Sequence, residues 1–117
     1  MFQIFFYQQP NGEKPALQFL KSIQDTKLRV KVLRQIKLLE TFGPELRYPD
    51  TRYIRDGVFE LRAIQGGNIV RCMFFFYEEH SIIITNGFLK NSGKTPLSQI
   101  RLAIDRKSEY ERRMRHE

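Results

Sequence analysis

From Val58 to Leu89 the apolar residues of this chain recur at a period of about 2, and two short polar breaks cut the stretch into three. No other feature constrains the fold as much. Alternation places one face of each strand in a core, and breaks this short make neighbouring strands antiparallel. One strand is expected over Val58–Ile64, with Gln65-Gly66-Gly67-Asn68 as the hairpin turn into a second over Ile69–Tyr77. Glu78-Glu79-His80 turns the chain again into a third, Ser81–Leu89, and Tyr53-Ile54 is a short strand ahead of the block.

On either side of this block the period lengthens to about 3.6. Phe2–Tyr7, aromatic and β-branched, reads as a first strand that ends at Gln9-Pro10-Asn11-Gly12. Pro15 suits the first turn of a helix carrying Leu17, Leu20 and Ile23. A second helix starts at Asp25 or Thr26 and runs to about Phe42, with Leu28, Val32, Ile36 and Leu39 as its apolar stripe and Gly43-Pro44 as its stop. After Asn91-Ser92-Gly93, Thr95 is expected as an N-cap and Pro96 at the first helical position of a last helix, whose apolar face is Leu97, Ile100, Ala103 and Ile104. Arg112-Arg113-Met114-Arg115 would form its basic, frayed end. The expected order is β-α-α-β-β-β-β-α. This is an α+β fold in which an antiparallel sheet packs against two N-terminal helices and a C-terminal helix, as one domain over 1–117.

Several function classes drop out at this level. The apolar runs Met73–Tyr77 and Ile82–Ile84 are far shorter than the roughly 20 residues that span a bilayer, and the N-terminus carries no basic region or small-residue cleavage site. A soluble, cytoplasmic protein with no membrane partner is therefore expected. A single cysteine, Cys72, excludes an internal disulfide framework and a Cys-rich zinc site. No phosphate loop, HExxH pair or GxSxG elbow occurs, and the acids are too scattered to hold a divalent ion, so neither metal nor cofactor is expected. His80 and His116 lie in a turn and next to the last residue, a poor basis for acid/base chemistry.

Charge points to a partner class. Twenty Lys and Arg against 13 Asp and Glu give +7, a balance that attracts polyanions. Lys27, Lys31 and Arg34 share one face of the second helix, where the plainer reading is a solvated surface. Within the strands, Glu60 and Arg62 share a face, and Arg71 sits in the apolar Ile69–Tyr77. An arginine there is either paired structurally, with Glu60 for instance, or sits at a cleft floor facing an anion. Asn86, Phe88 and Lys90 share a face of the last strand, with Lys94 following in the turn. Cations beside an aromatic ring suit RNA, although Phe88 taken alone is more often a core residue.

These residues also form a spaced pattern. Gly57-Val58-Phe59-Glu60-Leu61-Arg62, then Arg71, then Asn86-Gly87-Phe88-Leu89-Lys90 followed by Lys94-Thr95-Pro96 and a helix with Ala103, resembles the HigB-like branch of the RelE/ParE toxin superfamily. The resemblance covers essentially the whole chain. Asn91 stands where relatives often carry a second lysine. It implies a RelE-like fold and the toxin of a type II toxin–antitoxin pair: an endoribonuclease that cleaves mRNA, usually on the ribosome, and inhibits translation. A cognate HigA-like helix-turn-helix antitoxin would neutralise it, with a heterotetrameric complex as the expected assembly.

Metal-free cleavage needs the 2′-hydroxyl to attack phosphorus while charge grows on the phosphate and the leaving 5′-oxygen. Under this resemblance Arg62 and Arg71 would stabilise the phosphate, Lys90 the phosphate or leaving oxygen, and Lys94 the backbone or leaving group. Phe88 would stack a base, while Lys27, Lys31, Arg34 and Arg115 would extend a phosphate-binding surface for RNA. Glu60, Tyr53 and His80 are candidate proton acceptors, and a salt bridge would make Glu60 a poor one. Two alternatives share the scaffold: a ParE-like inhibitor of DNA gyrase, and a basic RNA-binding module without catalysis.

Overall fold

A computed structural model of the chain describes residues 1–90 and 93–116. Asn91 and Ser92, expected in the turn after the last strand, lie outside the described residues. The elements are β1 (Gln3–Phe6), α1 (Pro15–Ser22), α2 (Thr26–Phe42), a 3-10 turn at Gly43–Glu45, β2 (Thr51–Arg55), β3 (Val58–Gln65), β4 (Asn68–Tyr77), β5 (Ser81–Lys90) and α3 (Leu97–Arg115). They form an α+β fold with one mixed five-stranded sheet, ordered β1-β5-β4-β3-β2. Among the described residues no helix is long and apolar enough to cross a membrane.

The expectation of a wholly antiparallel sheet is corrected at one edge. β2 to β5 are antiparallel neighbours, but β1 pairs with β5 in parallel, from Gln3 opposite Ser81 to Phe6 opposite Ile84. No turn joins these two strands, so nothing local sets their relative direction. The pairing instead buries Ile4 and Phe6 on the face that Ile82 and Ile84 already occupy.

α1 and α2 cover that face, packing Ala16, Leu20, Leu28, Val32 and Leu39 against Leu61, Ala63, Val70, Cys72 and Phe74. The start of α2 follows from its cap: the Asp25 carboxylate accepts from the amides of Lys27 at 3.0 Å and Leu28 at 3.2 Å, worth about 1 kcal/mol. Gln35 is the polar exception in this helix. It is buried, and its amide donates to Asp50 Oδ1 at 2.9 Å and to the carbonyl of Arg62 at 2.8 Å, fixing α2 to the strand that carries Arg62.

α3 lies across the opposite face, with Ala103 against Val58 and Met73, and Tyr110 against Phe75 and Tyr77. A bulge decides what else points there. Met73 pairs with Asn86 but Phe74 pairs with Ile84, which leaves Thr85 as the extra residue. Strict alternation would have put Asn86, Phe88 and Lys90 beneath α1 and α2 with Ile82 and Ile84. The bulge turns them to the α3 side, opposite Met73, Arg71 and Ile69.

Both expected ends of α3 are corrected. Pro96, not Thr95, occupies the N-cap, and no side chain caps the first turn, because the Thr95 hydroxyl is drawn inward to Glu60. The basic end is not frayed: helix continues to Arg115, with Arg113 paired to Glu109 at 3.2 Å and stacked over Tyr7 and Tyr110.

Candidate functional site

The α3 side of β2, β3 and β4, next to the start of α3, holds a buried ionic cluster. Its centre is Glu60, 1% exposed, across from Arg52 on β2 and diagonal to Arg71 on β4. Glu60 Oε1 accepts from the Thr95 hydroxyl and lies 3.7 Å from Arg71 Nη1. Its Oε2 lies 3.7 Å from Arg52 Nε and 4.0 Å from Arg62 Nε. One carboxylate thus faces three guanidiniums, and the cluster keeps a positive excess. A charge this deeply buried requires such partners, since desolvation alone would disfavour it.

Arg71 shows how much of this is structural. It is 3% exposed; Nη1 donates to Thr95 Oγ1 at 3.1 Å and Nη2 to the carbonyl of Gly93 at 2.8 Å. Its Nε is buried with no hydrogen-bond partner among the described residues. Of the two sequence readings for this arginine, the geometry shows the structural pair with Glu60, and the guanidinium is turned to Thr95 and Gly93. By holding Gly93 and Thr95, Arg71 ties the segment before α3 to the sheet.

The exposed cations stand around that lock. The Arg52 side chain is 45% exposed and donates to Thr95 Oγ1 at 3.4 Å. Lys94 is exposed and, with Arg52, Tyr53, Thr95 and Ile100, lines a hollow of about 330 Å³. Lys90 folds over Gly93, where an added Cβ would sit 3.5 Å from its Cε. The Arg62 side chain, 18% exposed, reaches the carbonyl of Pro49 at 3.5 Å, and its guanidinium lies 5.9 Å from the centre of the Tyr48 ring. Arg52 is absent from the sequence-predicted set. Its signal was its place across from Glu60, hidden because the short strand was expected only at Tyr53-Ile54.

Phe88, opposite Arg71, is half-buried against the Val58–Met73–Ala103 cluster, so part of its ring serves the core. Other expected members lie elsewhere. Lys27, Lys31 and Arg34 belong to α2, which covers the opposite face of the sheet. Arg115 ends α3, roughly 27 Å along the helix from Leu97. His80 precedes β5 while Lys90 ends it, about 30 Å away along the strand, so His80 is no proton acceptor for this site. Glu60, the acid among the candidates, has both oxygens engaged and is closed to solvent. Tyr53 lines the hollow, with its hydroxyl accepting from the Gly57 amide at 3.1 Å. Cys72, beside Arg71 in sequence, faces the other way into the core, where burial pushes its thiol up to about 12 and removes it as a nucleophile.

An exposed guanidinium and an ammonium group lining one hollow, beside a buried ionic cluster, can bind an anion and neutralise charge growing on it. Comparison with known proteins adds a family. The profile of the family described as Phage derived protein Gp49-like (DUF891) matches residues 18–108. Two proteins of Mycobacterium tuberculosis, from strains CDC 1551 / Oshkosh and ATCC 25618 / H37Rv, each named "Probable endoribonuclease HigB1", are 37% identical over 59 residues. That match covers 50% of this chain and 46% of theirs, so the chain spans about half the length of the curated relatives it matches.

Proposed function

The chain belongs to the Phage derived protein Gp49-like (DUF891) family, and on that footing we propose that it is the toxin of a type II toxin–antitoxin pair, a single RelE-like domain of the HigB branch. It is an endoribonuclease that cleaves mRNA on the ribosome in the cytoplasm and so inhibits translation. A HigA-like helix-turn-helix antitoxin binds it, in a heterotetramer. Its likeness to proteins named as probable endoribonucleases supports the chemistry. The observation that carries the reading is the pair of exposed cations on one hollow, Arg52, which the buried Glu60 carboxylate holds, and Lys94 beside it.

In the reaction the ribose 2′-oxygen bonds to the adjacent phosphorus, the bond to the 5′-oxygen breaks, and a cyclic phosphate and a 5′-hydroxyl result. The proton lost from the 2′-hydroxyl is balanced by one gained at the 5′-oxygen. Arg52 and Arg62 hold the phosphate oxygens, Lys90 adds charge at the phosphate, and Lys94 faces the leaving oxygen. Phe88 offers its exposed edge to a base. Of the three proton-acceptor candidates, Tyr53 is the one that lines the hollow. Glu60 and Arg71 act by position, holding Arg52 and the segment that carries Lys94. Lys27, Lys31, Arg34 and Arg115 lie outside this hollow and contribute only to long-range attraction of RNA, which weakens with salt.

The test is brief induction in cells followed by primer extension on mRNA, with wild type, Arg52→Ala and Lys94→Ala compared and purified RNA treated in parallel. New 5′ ends within reading frames, lost in both variants and absent from free RNA, are expected. Growth arrest with intact mRNA and inhibited DNA supercoiling would replace this reading with the gyrase-type one, and RNA binding without cleavage or arrest would leave a binding module.

A further inference from the structure

The two edges of the sheet are treated differently. β2, at one edge, carries Arg52 and Arg55, and its register shifts between Tyr53 and Arg55, both devices that discourage a further strand. β1, at the other edge, reads Gln-Ile-Phe-Phe, without charge, proline or bulge. Gln3 donates to the carbonyl of His80 at 2.8 Å and Tyr7 to that of Ile84 at 2.9 Å, so the alternate residues Ile4 and Phe6 turn their main-chain groups outward. Phe2 shows the same outward direction already in use, its amide donating to the carbonyl of Glu40 at 2.9 Å.

Each face beside this edge is hollow. On the helix side, Ile4, Phe6, Leu17, Leu20, Leu33 and Ile36 line an apolar groove of about 380 Å³, and Leu33 is 57% exposed there. On the α3 side, Phe5, Tyr110 and Met114 line one of about 290 Å³. A strand laid against β1 would send alternate side chains into the two. Lys21 and Arg29 at the first hollow and Lys14 at the second are exposed and take part in no ion pair among the described residues, whereas Glu40 is paired with Lys37 at 2.8 Å. The rim is therefore cationic, and a chain of net charge +7 is a poor partner for a copy of itself at such an edge.

We propose that the β1 edge receives an extended segment of a partner protein, apolar at alternate positions and flanked by acidic residues, which adds to the sheet beside β1. The inference stands on the sheet edge and its rim and does not depend on the nuclease reading.

A synthetic peptide in which valine alternates with threonine between paired glutamates is the probe, with amide exchange followed by NMR on the full chain. Saturable binding is expected, with the Ile4 and Phe6 amides slowed and those of Gln3 and Phe5, which face the β5 side, unchanged. Lys21→Glu with Arg29→Glu, both on exposed side chains, should weaken binding about tenfold while mRNA cleavage stays as in wild type. No saturable binding, equal binding of a peptide with the valines in one block, or unprotected edge amides would overturn the proposal. So would slowed edge amides in the chain alone that speed up on dilution, since the occupant would then be a second copy. Loss of cleavage in all proteins with peptide binding intact would sink only the nuclease reading.

Discussion

Glu60→Gln keeps the side-chain volume and removes the single negative charge among three guanidiniums. The partner that matters most is Arg71: at 3.7 Å, and with an effective dielectric constant near 20, the attraction is roughly 4 kcal/mol. Arg71 is 3% exposed and cannot turn to water when that partner is lost. Arg52 also stands 3.7 Å from the carboxylate but is half in solvent, where the same distance is worth nearer 1 kcal/mol. Breaking a buried pair by removing one member costs about 3–5 kcal/mol, against a total stability of about 5–15 kcal/mol for a domain. The urea midpoint should therefore fall by about 2 M at an unchanged slope.

A double-mutant cycle separates this cause from simple damage. Adding Arg71→Gln to Glu60→Gln removes the stranded charge, and about 1–3 kcal/mol should return relative to the sum of the single losses. A loss under about 1 kcal/mol for Glu60→Gln, or strict additivity of the two changes, would refute the claim that Arg71 is buried on the strength of Glu60.

Three further outcomes follow. Arg52→Ala should lower the rate of mRNA cleavage about 100-fold while stability changes by less than about 1 kcal/mol; a large stability loss with unimpaired cleavage would make Arg52 a structural residue. Burial first, then the hydrogen bond to Glu109 at 2.7 Å, raises the Tyr7 hydroxyl above its ordinary 10.0. A raised value favours the fold while the group is neutral, so this stability is whole below pH 10 and is lost as pH climbs through the folded value. Urea midpoints should accordingly fall more steeply above that pH in wild type than in Tyr7→Phe, and equal slopes would refute it. Cys72, its thiol pushed up to about 12, should resist iodoacetamide in the native chain and react once urea unfolds it; fast modification of native protein would contradict its burial.

Element order was legible in the sequence because periodicity and turn residues are local. The α2 cap at Asp25 and the Gln65-Gly66-Gly67-Asn68 turn are examples. What was not legible depends on contacts between distant elements. The parallel pairing of β1 with β5 has no connecting turn to announce it. The Thr85 bulge reads as ordinary alternation until the pairing of Met73 with Asn86 is known. Thr95 fits a helix cap by local rule, and only the arrival of Glu60 and Arg71 beneath it shows that its hydroxyl is spent on the site.

Arg71 illustrates why a motif residue and a ligand-touching residue are separate things. Its position in an apolar strand forces a choice between pairing inside the fold and facing an anion, and the carbonyl of Gly93, the hydroxyl of Thr95 and the carboxylate of Glu60 make that choice. Lys94 sits between Gly93 and Thr95, so its place over the hollow is inherited from the two residues that Arg71 holds. Arg71→Ala would silence the site whether the arginine touches RNA or only fixes this segment, so lost activity alone says nothing about its role. Stability read beside activity does: a positioning residue loses both together, whereas Arg52, exposed beside the same carboxylate, loses activity alone.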